Sequence, residues 1–179
     1  MTVYVILFRG VGGATQLPVK SLREKLTEAG FENVATYINS GNAVVRSRKS
    51  REKVIVTIAE VCSREFGFEK AIYAPTADEW RVLIDNNPFP DAVGEPKFLH
   101  AAVLEDEPDP AHVEAVRGYA VEGERIAVVG KVAYLHTPHG FGRSKMAERF
   151  DKGIGVANTA RNWRTVLALQ DLAQKAAAG

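Results

Sequence analysis

The chain has 179 residues, 46% of them hydrophobic and 25% charged, with 23 Lys and Arg against 22 Asp and Glu for a net charge of +1. Such a composition belongs to a globular protein able to bury roughly 70% of its unfolded surface, which excludes a disordered or collagen-like chain and makes no general claim on nucleic acid or membrane. One cysteine, Cys62, permits neither an internal disulfide nor a thiolate metal centre, and no apolar run reaches the about 18 residues of a membrane span, so a cytoplasmic protein is expected.

Residues 2–8, TVYVILF, form an apolar run rich in β-branched and aromatic residues and read as a buried strand. Pro18 opens a helix with Val19, Leu22, Leu26 and Ala29 at helical spacing, closed by Gly30. Strands follow at 33–38 and 42–47, joined through Asn39-Ser40-Gly41 as a hairpin. Ser50 caps a second helix whose apolar face holds Val54, Ile55, Ile58, Val61, Cys62 and Phe66, and Gly67 ends it before a strand at 70–74. The order strand, helix, strand, strand, helix, strand is the split βαβ arrangement of a ferredoxin-like unit.

The remainder reads as a second, irregular copy. A helix opens at the capping box of Thr76 and Glu79 and ends near Asn87-Pro88. A strand at 98–104 precedes a helix started by Asp109-Pro110, then strands 125–130 and 131–137 form a tight hairpin, and a helix begins near Ser144. In place of a closing strand, the spacing of Trp163, Val166, Leu169, Leu172 and Ala173 predicts a helix over about 160–176, with Thr159 as its N-cap. The expected fold is therefore α+β, with tandem ferredoxin-like (βαββαβ) units, the second irregular and ending in a helix. The expected boundaries are a first subdomain over 1–84, a linker over 85–97 where three prolines and a glycine break both periods, and a second subdomain with the C-terminal helix over 98–179.

Polar loops are the candidate functional residues. Arg9-Gly10-Val11-Gly12-Gly13-Ala14-Thr15 lies after a strand and before a helix, where glycines let backbone N–H groups approach an anion. It matches neither GxxxxGK[ST] nor GxGxxG. Ser40 and Asn42 add polar groups at the hairpin, and Gly140-Phe141-Gly142-Arg143-Ser144-Lys145 repeats glycines, a hydroxyl and cations at a helix start. Arg161 and Asn162 are placed in the first turn of the last helix, where a cation opposes the helix dipole and invites an anionic partner. The four histidines lack a metal-ligand spacing, the acidic run at 105–109 reads as a solvated turn, and no metal, named cofactor or catalytic base emerges.

The basic run 46–53 raises nucleic acid as a lesser alternative, through Arg46, Arg48, Lys49, Arg51 and Lys53 against phosphates. Against the RNA-recognition pattern [KR]-G-[FY]-[GA]-F-V-x-[FY], the segment SGNAVVRS keeps Gly41, Ala43 and Val45 and lacks every stacking aromatic, leaving Tyr4 as the one aromatic near a suitable position. A structural or protein-interaction role, with the polar motifs merely capping helices, is the other alternative.

Five segments together resemble one bacterial family, the domain of unknown function 1697: RGVGG after the first strand, LPVKSLREKLTEAGFENVATYINSGN, NNPF at 86–89, GRSK at 142–145 and TARNWRTVLAL. The resemblance implies an α+β protein with two ferredoxin-like halves and brings no established activity. The family's glycine loop usually reads RGINVGG, and the loop here is shorter. The function expected from the residues is binding of a small anionic or phosphorylated ligand by Arg9, Gly12, Gly13, Ser40 and Asn42 from one half with Ser144, Lys145, Arg161 and Asn162 from the other.

Overall fold

The computed structural model describes residues 1–38 and 41–179. The chain divides into two units, Met1–Val82 with Leu167–Gly179, and Leu83–Val166. The first is built around strand β1 (Thr2–Phe8), which pairs antiparallel with β3 (Asn42–Ser47) on one side and β4 (Ile72–Tyr73) on the other. β2 (Glu32–Thr36) completes the order β2-β3-β1-β4. β1 reads as an unbroken apolar run because both of its faces are buried. Tyr4, Ile6 and Phe8 pack with Ala43 and Val45 against Leu22 and Leu26 of α1 (Val19–Glu28) and Val54, Ile58 and Cys62 of α2 (Arg51–Phe66). The alternating residues Val3, Val5, Leu7 and Val44 point to the opposite face and are buried as well.

Local chemistry sets the helix ends. Pro18 sits at the cap of α1, one position before its first residue. Ser50 Oγ accepts the Lys53 N–H at 3.4 Å, and Gly67 closes α2 in the left-handed region while Gly67 and Phe68 donate to Ser63 and Cys62 carbonyls. The capping box forms reciprocally at the start of α3 (Ala77–Asp85): Thr76 N–H donates to Glu79 Oε2 at 2.8 Å and Glu79 N–H to Thr76 Oγ1 at 3.2 Å.

The second unit repeats the topology with β5 (Leu99–Leu104), α4 (Pro110–Arg117), β6 (Arg125–Val129), β7 (Val132–His136), α5 (Lys145–Gly153) and β8 (Asn158–Asn162). Its sheet order, β6-β7-β5-β8, is that of the first unit position for position. β8 corrects the expectation that a helix replaces the closing strand: residues 158–162 pair with β5 from His100↔Asn162 to Leu104↔Asn158, and the final helix, α6, spans Trp163–Ala178. Ala102, Leu104, Ile126, Ala133 and Leu135 form one face with Val113, Val116, Met146, Ala147 and Phe150 of α4 and α5.

The division between units also differs from a single cut at 85–97. It falls at Val82 and again at Leu167, so residues 85–97 belong to the second unit and most of α6 to the first. The tie is visible at Asn33, whose Nδ2 donates to Ala176 O at 2.9 Å.

Candidate functional site

In the first unit, the glycine loop closes on itself. Gly12 and Thr15 exchange both backbone hydrogen bonds, at 2.6 and 3.0 Å, and Gln16 Nε2 reaches Gly13 O at 3.2 Å. One glycine N–H that was expected to face an anion is thereby consumed. Gly12 and Gly13 are exposed at the turn, while Arg9 is half-buried, its N–H bonded to Ala71 O at 3.0 Å. Val11 rests on Gly41, so this loop and the β2–β3 connection do adjoin. Asn42 is buried and sends Nδ2 to Tyr37 O at 3.4 Å, which makes it part of the hairpin's own bonding. Ser40 lies outside the described residues. Lys70, which no local motif announces, brings Nζ to 3.2 Å from Gly10 O.

In the second unit, the register separates residues expected to act together. Ala160 packs with the residues that face α4 and α5, so Arg161, one position on, points to the other face of the sheet. There its Nη1 donates to Thr159 Oγ1 and Ala160 O, both at 2.8 Å, and burial pulls its pKa down to about 10. Neither Arg161 nor Asn162 lies in a helical first turn. Asn162 ends β8 and its Oδ1 accepts the Thr165 N–H at 3.0 Å, taking the capping role expected of Thr159. Ser144 is the buried cap of α5, its Oγ accepting the Ala147 N–H at 3.0 Å. Lys145 begins that helix and is exposed, as is Arg143 before it.

On the same face of the sheet as Asn162 sits His100, its register partner on β5. The His100 ring stacks on Phe141, with centroids 3.9 Å apart and planes 25° apart, so the Gly140–Lys145 loop is held against β5. His100 Nδ1 is buried and has no hydrogen-bond partner among the described residues. Burial lowers the pKa of this imidazole to about 4, and it is neutral at physiological pH. A lone histidine in an apolar strand gives no sequence signal for this placement.

The comparisons fit the architecture. The chain matches the family described as Protein of unknown function (DUF1697) over residues 1–134. This protein belongs to that family. The GRSK and TARNW segments lie beyond the matched stretch. Among curated proteins, none matches. The solved structure of conserved bacterial protein SP0830 from Streptococcus pneumoniae is 18% identical and has a TM-score of 0.74, over 97% of this chain and 99% of that one. At that identity the likeness concerns the fold.

Two features of this DUF1697 protein weaken the nucleic-acid alternative. The sheet face that an RNA-recognition motif leaves open is buried at Val3, Val5 and Leu7, and Tyr4 points to the helices with its hydroxyl donating to Lys49 O at 3.0 Å. Within the basic run, Arg51 binds both oxygens of Glu79 at 2.7 Å, and Lys49 Nζ bonds Thr57 Oγ1 and lies over the Phe31 ring. Among the described residues no His, Cys, Asp or Glu cluster could hold a metal ion, and no helix is long and apolar enough to cross a membrane.

Proposed function

We propose that this DUF1697 protein binds a small phosphorylated or otherwise anionic ligand at the start of α5. The observation that carries the reading is the seating of the Gly140–Lys145 loop on β5 by the His100–Phe141 stack, which fixes two exposed cations, Arg143 and Lys145, at a helix N-terminus. That end of a helix carries partial positive charge and N–H groups without helical partners. Lys145 would act as a point charge, and Arg143 would supply planar donors. Asn162 lends a polar edge on the same face of the sheet, whereas Arg161 supports the fold from the other face. The reading takes the protein to be cytoplasmic and bacterial, in keeping with its single buried cysteine and with the bacterial origin of its structural neighbour.

The test is a thermal-shift series with inorganic phosphate, nucleotides and sugar phosphates on the wild type, Lys145→Ala and Arg161→Met. A ligand at about 100 times its Kd contributes about 2.7 kcal/mol, roughly 5 to 10 °C in midpoint at this chain length. The expected result is a shift that Lys145→Ala removes and Arg161→Met retains on a lowered baseline. A wild type indifferent to every anion, or a Lys145→Ala variant that responds in full, overturns the site.

A further inference from the structure

On the face of the second sheet turned away from α4 and α5, Arg125 of β6 binds three groups at once. Its Nη2 and Nη1 donate to the two oxygens of Asp91 at 2.8 and 3.2 Å, its guanidinium carbon lies 4.4 Å from the centre of the Phe89 ring, and Nη2 reaches His136 Nδ1 at 2.9 Å. Phe89 and Asp91 belong to the proline-rich segment 86–98, which no strand ladder holds in place at that point. Phe89 and Ala92 are buried, and at the far end of the segment Trp163 N–H donates to Pro96 O and Thr137 N–H to Phe98 O. Arg125 thus adds an ionic clasp to that packing, through Asp91 and the Phe89 ring.

The chemistry of the clasp fixes a protonation state. A guanidinium has donors and no acceptor, so the histidine nitrogen facing it must offer a lone pair. His136 is thus neutral with its proton on Nε2 while the contact exists. A second proton enters only at Nδ1, and there it replaces a hydrogen bond with two facing cations. We propose that Asp91, Arg125 and His136 form a proton-sensitive latch, which holds segment 86–98 on the sheet at neutral pH and releases it on acidification.

The charged groups facing His136 are Arg125 from β6, Asp91 from the 3-10 turn Pro90–Ala92, and Glu95 from the turn after it; its register neighbour on β5 is Leu99. Burial and Arg125 lower the imidazole pKa, and the two carboxylates oppose them without reversing the direction. Asp91 does not titrate in the same window, because its bonds to Arg125 hold it below the ordinary carboxylate range. Opening takes the Arg125 guanidinium off Nδ1 along with Asp91 and exposes the ring to water, so the closed contact binds fewer protons than the open one as pH falls through the ordinary imidazole range, and opening grows by up to about tenfold per pH unit until the closed form itself protonates.

Hydrogen exchange tests this at the Ala92, Glu95 and Phe98 amides, which donate to Phe89, Ala92 and Glu95 carbonyls, with β5 and β7 amides as internal references. Corrected for intrinsic rates, wild-type protection should fall roughly three- to tenfold between about pH 7.5 and 5.5. His136→Asn, which keeps an acceptor near the Nδ1 position and does not titrate, should hold its protection. A wild type without the fall, or a variant that falls equally, overturns the latch. Nitrogen NMR of the wild-type ring gives a second reading that needs no variant: a bare Nδ1 and a protonated Nε2 support the latch, and an Nδ1–H tautomer overturns it.

Discussion

Val11 occupies the space that a side chain on Gly41 would need: its Cγ2 lies 2.5 Å from the position of a Cβ there, and Phe8 Cβ lies 2.9 Å away. Gly41 also stands at φ +73°, in the left-handed region. Gly41→Ala should combine overpacking with left-handed strain and destabilise the protein by about 2–4 kcal/mol. Urea denaturation measures it. Val11→Ala in the same chain should recover part of the loss, because it removes the closest clash and leaves the backbone strain.

Gly155 offers the contrasting case. It too has positive φ, +77°, and a Cβ would meet the His112 ring. His112 is exposed and its ring can swing away, so only the backbone term should remain. Gly155→Ala should cost about 1–2 kcal/mol, less than Gly41→Ala under the same denaturant. Equal losses would show that His112 is held more firmly than its exposure indicates.

Glu79 joins two interactions, the capping box of α3 and the ion pair with Arg51. Burial opposes its ionisation, but the Arg51 guanidinium and the N–H and hydroxyl of Thr76 outweigh that, so its carboxyl sits below 4.5. A depressed carboxyl contributes stability above its unfolded pKa and loses it as pH falls through the folded value. Glu79→Gln should be less stable than wild type at pH 7, by about 1 kcal/mol for the weakened cap, and should lose less stability on acidification below pH 4.5. Parallel pH–stability curves for the two proteins would contradict this.

His100 behaves in the opposite part of the scale. With its folded pKa lowered to about 4 from an ordinary 6.5, the unfolded chain binds the extra proton first. Its contribution is complete above about pH 6.5 and declines as pH falls toward 4, by about 2–3 kcal/mol across the window. His100→Phe should flatten that stretch of the stability curve. Phe141→Ala should raise the His100 pKa, which proton NMR can follow directly.

The capping signals of the sequence carried far. Ser50, Gly67, Thr76 with Glu79, Asp109 and Ser144 each stand at the helix end their chemistry dictates. β8 was hidden because Asn158-Thr159-Ala160-Arg161-Asn162 has one β-branched residue and no aromatic, while Ala160, Trp163 and Val166 continue a helical period. Its strand conformation comes from five register pairs with β5, partners more than fifty residues away. That same tertiary choice turned Arg161 away from the face that packs on α5 and set Asn162 opposite His100. The glycine loop of the first unit was legible as a turn, and the Gly12–Thr15 bonds that occupy the N–H groups of those two residues were not.

The bond from Asn33 to Ala176 O spans 143 residues of sequence. A unit completed by α6 cannot close while the chain is only as long as its own first part. On the ribosome β1 to α3 would emerge early, with the stripe Leu169, Ala173 and Ala176 still unmade. Leu83–Val166, continuous in sequence, can finish during that wait. The unit made second is thus free to fold first, and contacts of such long range favour slow closure of the other.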